Sequence, residues 1–294
     1  MEYINIITHI ILIMSLGWYL ITNLQWYNYK LERVILKHHK WQWHITYFLS
    51  PIVLFYIIPE PYYAAYFFII YMTSFILWNK KLDRAVVLTS RVKRFLAILL
   101  FTTFAMTALC LSSPSCTNMV IFTPLILTYG ISTLLEKIFF ISFKNKGKQR
   151  IKSIAGLRTI AITASYGKTS IKNYLYHVLK NKYKTYKTPR SVNTIAGIVL
   201  DVNRDIPLDT QIYIAEAGAR VKGDIEEIAM FLEPQICIIG SVGPQHIEYF
   251  KTLDNIIHTK MELLKSPRMK MGFVHESVPI KAYSTITKFP NNLH

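Results

Sequence analysis

The chain has 294 residues, 52% of them apolar, and carries 34 Lys and Arg against 17 Asp and Glu, a net charge of +17. Its length admits one or two domains, but the averages hide two unlike halves: apolar residues concentrate before about Phe143, and most charges follow it. Cys110, Cys116 and Cys237 form no metal-type pair, so neither a zinc site nor a disulfide framework is indicated.

Five apolar stretches come first, at about Ile4–Tyr27, Trp43–Pro59, Tyr62–Trp78, Phe95–Leu111 and Met119–Phe143. Crossing a hydrocarbon core about 30 Å thick takes roughly 17–25 helical residues, so each is long enough, two of them barely. Glu136 and Lys137 are the chief charged interruptions. Buried core helices are the soluble alternative, and five in succession with so little amphipathic relief argue against it.

The connections carry an orientation signal. Lys30, Arg33, Lys37 and Lys40 follow the first stretch; Lys80, Lys81, Arg84, Arg91, Lys93 and Arg94 follow the third; Lys144, Lys146, Lys148, Arg150 and Lys152 follow the fifth. Pro59-Glu60-Pro61 and Ser112–Asn118 contain no Lys or Arg. Basic loops stay cytoplasmic, so one topology satisfies every connection: N-terminus outside, five crossings, C-terminal half in the cytoplasm. Trp18, Trp26, Trp41, Trp43 and Trp78 fall near the stretch ends, as an aromatic belt requires.

Residues 1–143 are therefore expected to be a multi-pass region of about five helices in the inner (cytoplasmic) membrane. A basic juxtamembrane linker is expected over 144–156, its "KNKGKQRIK" lying against anionic headgroups of the lipid bilayer. The first stretch lacks the basic start and small-residue cleavage site of a signal peptide. No nucleic-acid partner is expected, because no stacking or base-reading motif accompanies the basic residues.

From Leu157 the pattern turns to short apolar runs alternating with amphipathic segments. "LRTIAIT", "YKTYKT", "QIYIAE" and "QICIIG" read as strands, and "MGFVHES" as the next one. Helices are expected over about Thr169–Lys182, Thr194–Arg204, Gly223–Leu232 and Thr252–Lys265. The alternation predicts an α/β domain over 157–294 with a mainly parallel sheet and helices on its faces. Ligands of such sheets bind at the carboxyl ends of the strands, where Thr163, Glu216 and Gly240 fall.

The loop after the first strand reads "TASYGKTS", Thr163 to Ser170. It lacks the first glycine of a strict G-x-x-x-x-G-K-[ST] phosphate loop, whose position falls on Ile162. The strand-loop-helix context still suits phosphate: backbone N–H groups at the helix start face the oxygens. Lys168 reaches the terminal phosphates, and the Thr169 hydroxyl binds Mg²⁺. Glu216 is placed to hold the same metal, and His246 in "GSVGPQHIEYF" is available as an imidazole ligand. Taken alone, Glu216 also reads as a solvated strand end, His246 as a loop histidine, and Lys260 as a solvated helical lysine.

Together these residues resemble the Mur ligases, ATP-dependent amide-forming enzymes of peptidoglycan synthesis. Their phosphate loop reads T-G-[ST]-x-G-K-[ST]-[ST], so "TASYGKTS" departs from it only at Ala164. The resemblance assigns Thr163, Ala164, Ser165, Tyr166, Gly167, Lys168, Thr169 and Ser170 to nucleotide binding. The closest branch looks like the one that adds D-alanyl-D-alanine to UDP-muramoyl tripeptide. Its E-x-G, G-x-x-H-x-E-x-F and K-x-E blocks match Glu216-Ala217-Gly218, "GPQHIEYF" and Lys260-Met261-Glu262. "TPRSVNTIAG" resembles the loop whose asparagine, here Asn193, lies near the phosphates and the sugar-peptide substrate.

The resemblance implies ATP and Mg²⁺ as cofactors, with UDP-muramoyl peptide and D-alanyl-D-alanine as partners. It implies catalytic roles for Lys168, His246 and Lys260, and metal contacts from Thr169, Glu216, His246 and Lys260, the last as a carbamate. Membrane stretches stand where family members bind the UDP-sugar, and the chain stops at His294, before the rest of the central domain and the C-terminal domain. The expectation is an N-terminal part of a longer enzyme. Two alternatives stay open: another membrane-tethered ligase of this type, such as a poly-glutamate synthase, or a membrane protein with a vestigial nucleotide fold.

Overall fold

The computed structural model describes residues 2–36, 38–59, 61–112, 122–245, 247–279 and 286–289. Glu60, most of the expected Ser112–Asn118 loop and His246 lie outside them. The chain divides into two compact units, Met1–Ile138 and Phe139–His294.

The described residues of the five apolar stretches are mainly helical, the fifth stretch running on past the end of the first unit. The first is α1 (Glu2–Trp26), followed by the short α2 (Leu31–Leu36) in the basic connection. The second runs as α3 (Gln42–His44), a π-helical turn and α4 (Ser50–Ile57), and the third as α5 (Tyr62–Tyr66), another π-turn and α6 (Met72–Lys80). α7 (Ser90–Leu111) and α8 (Phe122–Ser153) complete the series. Among the described residues, three helical spans are long and apolar enough to cross a membrane by length and composition: Ile4–Trp26, Ser90–Leu111 and Phe122–Ser153. The π-turns break the second and third stretches into shorter α-helical pieces.

Two sets of polar groups in this unit are paired in a telling way. Arg94 Nε donates to Glu136 at 2.9 Å, which accounts for a carboxylate inside an apolar stretch, since such charges persist when matched. In the first basic connection, His38 Nε2 donates to Asn23 Oδ1 at 2.7 Å while its Nδ1 accepts from the Lys40 N–H at 3.0 Å. One ring nitrogen donating and the other accepting is the pattern of a neutral imidazole. Cys110 takes part in a disulfide, which the cysteine pattern in the sequence did not indicate, whereas Cys237 is free and buried.

The second unit contains a six-stranded sheet in the order β2-β3-β1-β4-β5-β6, every pairing parallel. Its strands are β1 (Arg158–Thr163), β2 (Thr185–Lys187), β3 (Ile212–Glu216), β4 (Ile236–Ile239), β5 (Met271–His275) and β6 (Ile286–Phe289). The helices are α9 (Lys168–Leu179), α10 (Ile195–Arg204), α11 (Asp224–Leu232), α12 (Ile247–Phe250) and α13 (Leu253–Met261), which tightens into a 3₁₀ turn over Glu262–Lys265. Successive strand residues face opposite ways, so both faces are apolar. Ile160, Ile162, Ile212, Ile214 and Ile238 meet α9 residues Ile171 and Leu175 on one face. Ala161, Tyr213, Ala215 and Cys237 meet α10 and α11 on the other.

The expected strands and helices form where the alternation placed them, and β6 is an addition the sequence reading lacked. The expected linker is different: 144–153 is the end of α8. Gly147 lets that helix approach closely, since a Cβ there would lie 3.0 Å from Asn203 and 3.1 Å from the Phe231 ring. Lys144 pairs with Glu227 at 2.6 Å and Lys148 with Glu233 at 2.7 Å. Two lysines read as headgroup ligands thus spend their charge inside the unit.

β1 lies between β3 and β4. The chain leaves β1 for the β2 edge, returns through β3, then crosses to β4 on the other side. The loops after these strands part around one crevice at their carboxyl ends. The register pairs Ile162 with Glu216 and Thr163 with Ile239, so the loops begin level with one another.

Candidate active site

The loop after β1 is short and tied to its neighbour. Ser165 N–H donates to Ser241 O at 2.9 Å, Ser165 Oγ donates to Gly243 O at 2.9 Å, and Gly243 N–H is 3.0 Å from the same hydroxyl. Gly167 turns the chain into α9 with φ +78°, a conformation L side chains rarely adopt. The first turn of α9, including the exposed Ser170, presents backbone N–H groups without intrahelical partners. Lys168 arches back over the loop, its Nζ donating to Ala164 O at 2.7 Å and Ser165 O at 3.2 Å. Burial pulls its pKa down and the nearby Glu216 opposes that. These carbonyl contacts are ones a phosphate oxygen can replace.

Ala164, the departure from the family loop, is fully buried and has no positive φ. A Cβ added at Gly240 would lie 3.0 Å from the Ala164 methyl and 3.1 Å from Ile171. The methyl that the loop gained therefore occupies room left by a glycine at the end of β4. Tyr166 is exposed, and a Cβ at Gly243 would come within 3.0 Å of its ring.

Glu216 ends β3 beside this loop with 1% of its side chain exposed. Thr169 Oγ1 donates to its Oε2 at 3.2 Å, and Lys172 Nζ lies 2.7 Å from its Oε1. The solvated strand-end reading of Glu216 is excluded by this burial. Lys172 was not legible as a site residue in sequence, where it resembles other lysines of a basic helix; its three-residue step from Thr169 was the available signal. Asn193 reaches the same edge: its carbonyl accepts from Gly218 N–H at 2.8 Å, and a Cβ at Gly218 would meet Asn193 Cγ at 2.8 Å. The E-A-G block needs its glycine for that contact.

Lys260 is 4% exposed on α13 and makes no hydrogen bond or ion pair among the described residues. Burial, and next the Lys168 ammonium, hold its pKa down at about 8, while Glu262 pushes the other way. The solvated-lysine reading is thereby overturned, and Lys260 shares an electrostatic environment with the phosphate loop. Glu262 is a helix cap: it accepts the Gly223 N–H at 2.9 Å and the Glu226 N–H at 3.2 Å at the start of α11. Hydrogen bonds to a buried charge contribute about 1.5–3 kcal/mol, so Glu262→Ala is expected to lower unfolding free energy by at least about that much in a denaturant titration. An unchanged midpoint would remove the cap role. His246 lies outside the described residues.

The groups present fit a divalent cation at Thr169 and Glu216. The buried Thr163 Oγ1 has no hydrogen-bond partner among the described residues, and Glu216 Oε1 has the Lys172 ammonium beside it as an ion pair but no hydrogen bond; carboxylate and hydroxyl are the hard oxygens Mg²⁺ takes. No cluster of three His, Cys, Asp or Glu side chains occurs among the described residues, so water and phosphate oxygens would complete the shell. Lys260 as an ammonium does not fit a metal; as a carbamate anion it does.

Residues 162–284 match the Mur ligase middle domain. Over 107 residues the chain is 35% identical to the UDP-N-acetylmuramoyl-tripeptide–D-alanyl-D-alanine ligase of Borreliella burgdorferi, covering 36% of this chain and 23% of that one. It is 30% identical to the Bacillus subtilis ligase of the same name over 136 residues, covering 45% and 30% respectively. The chain thus spans under a third of the length of these curated relatives. Among solved structures it is similar to the MurF ligase from Thermotoga maritima in complex with ADP, at 26% identity over 51% of this chain and 35% of that one, with a TM-score of 0.44.

Proposed function

We propose, from the premise that this chain is a MurF-like member of the Mur ligase family, that its C-terminal unit performs the phosphoryl-transfer half of an ATP-dependent amide ligation. The reaction is the joining of D-alanyl-D-alanine to UDP-muramoyl tripeptide, the activity for which its relatives are named. The observation that carries the reading is the Thr169–Glu216 pair set directly beside Lys168 at the ends of β1 and β3.

Lys168 leaves its two carbonyls and neutralises the terminal phosphates of ATP, while loop and helix N–H groups of 164–169 hold the remaining oxygens. The substrate carboxylate attacks the γ-phosphorus, the bond to ADP breaks, and an acyl phosphate forms. The amine then attacks the acyl carbon and expels phosphate. Thr169 and Glu216 would hold Mg²⁺, which supplies charge neutralisation at the phosphates. Asn193 faces the substrate side. Lys260, its pKa lowered to about 8 by burial and by Lys168, offers more neutral amine than a free lysine for CO₂ to convert into a carbamate ligand, a role the resemblance shares with His246.

The apolar helices are proposed to span the inner membrane with the N-terminus outside and the ligase unit in the cytoplasm. The basic connections support this. A reporter fused after Lys148 is expected to be cytoplasmic and one inserted at Ser113 external; an external Lys148 fusion would overturn the orientation. The ligation itself is tested by supplying UDP-muramoyl tripeptide, D-alanyl-D-alanine and ATP to membranes holding the chain joined to the family's remaining domains. Joined product is expected, and its absence alongside normal ATP binding favours the poly-glutamate-type alternative.

A further inference from the structure

Lys172 is a buried cation to which the ligation chemistry gives no task. Its side chain is 1% exposed, and it lies on the face of α9 that carries Thr169. The two residues hold Glu216 by opposite oxygens, Thr169 at Oε2 and Lys172 at Oε1. The same ammonium donates to Thr188 O at 2.8 Å and to Arg190 O at 2.5 Å. Those carbonyls belong to the loop between β2 and α10 that leads to Asn193. Its hydrogen bonds go to those two carbonyls and its charge to Glu216, and at 1% exposure the side chain is closed to solvent. Nothing is left to bind substrate.

We infer that Lys172 is a positioning residue: it fixes the Glu216 carboxylate for the metal and clamps the 188–193 loop to that carboxylate. Metal binding and order in the Asn193 loop are then coupled through one side chain. An apolar side chain of similar length would fill the space but leave Glu216 buried and unpaired, which is strongly unfavourable. The inference rests on the reading of Glu216 as a metal ligand, and its test separates the two.

The full chain in detergent is titrated with Mn²⁺, followed by electron paramagnetic resonance, with ADP present; ADP affinity is also measured without metal. Groups that orient a metal ligand commonly contribute about 10–100-fold to metal affinity. Lys172→Met is expected to weaken Mn²⁺ by at least about tenfold while metal-free ADP affinity stays within about twofold. Trypsin is expected to cleave after the exposed Arg190 faster in that variant, and Lys172→Arg to recover part of the Mn²⁺ affinity. Glu216→Ala is the control. Weakened Mn²⁺ in Glu216→Ala with none in Lys172→Met overturns the Lys172 role alone. No loss in either variant removes the metal reading as well. Equal loss of metal-free ADP binding in Lys172→Met would show a merely structural lysine and also overturn the role. If Lys172→Met does not fold, Lys172→Arg is read by the same ratio: an intermediate Mn²⁺ loss supports the role and none overturns it.

Discussion

Lys168→Ala is expected to abolish measurable Mg-ATP binding by the chain. Its ammonium rests on Ala164 O and Ser165 O, and burial already disfavours its charge. A phosphate gives that charge a better partner than two carbonyls. Charge-assisted hydrogen bonds contribute about 1.5–3 kcal/mol each, and each ~1.4 kcal/mol is tenfold in affinity. Removing two such contacts costs at least about a hundredfold, which takes a weak site beyond calorimetric detection. Binding is expected to depend on the phosphates more than the adenine, since the loop and α9 supply the contacts. Equal ATP affinity in wild type and Lys168→Ala, read by calorimetry, would remove the phosphate-loop assignment.

On the proposed carbamate role, Lys260→Ala is expected to cut amide formation by at least about a hundredfold, because the loss of a catalytic metal ligand commonly removes several kcal/mol of transition-state stabilisation. Nucleotide binding at Lys168 and Thr169 survives in this variant, and acetate or formate restores part of the rate by filling the vacated space. The chemistry requires a neutral amine, since an ammonium cannot attack CO₂. With its pKa held at about 8 by burial and by Lys168, the neutral fraction of Lys260 rises as pH passes upward through that value. Carbamate formation under fixed dissolved CO₂ therefore increases from about pH 7 to about pH 9. A carbamate carbon signal from labelled CO₂ should grow over that range and vanish in Lys260→Ala. Near-normal turnover in Lys260→Ala would contradict the carbamate role.

The sheet was legible because its strands carry a period of two on a strongly apolar background. "TIAIT" and "IYIAE" put isoleucines on one face and small or aromatic residues on the other. Glu216 was legible at the end of its strand, next to the loop that starts at Thr163. The burial of Lys172 and Lys260 was not, because a lysine among polar helix residues of a basic chain reads as solvated, and only the packing of α9 and α13 buries these two. The end of α8 was read as a linker because its charges suit lipid headgroups equally well. Gly147 marked the close approach of a helix, but a glycine among five basic residues also suits a flexible joint. The tolerance of Ala164 was hidden for a different reason: the space it needs comes from Gly240, a residue 76 positions away in the chain.

The most direct measurement follows oxygen from the substrate carboxylate. UDP-muramoyl tripeptide labelled with ¹⁸O in its terminal carboxylate is supplied with D-alanyl-D-alanine and ATP to the chain joined to the family's remaining domains, and the released phosphate is examined by ³¹P NMR. Attack of that carboxylate on the γ-phosphorus leaves its oxygen in the phosphate expelled by the amine, so one ¹⁸O per phosphate is expected, and none with Lys168→Ala. Amide product with unlabelled phosphate, or phosphate release with no amide, would contradict a ligase acting through an acyl phosphate.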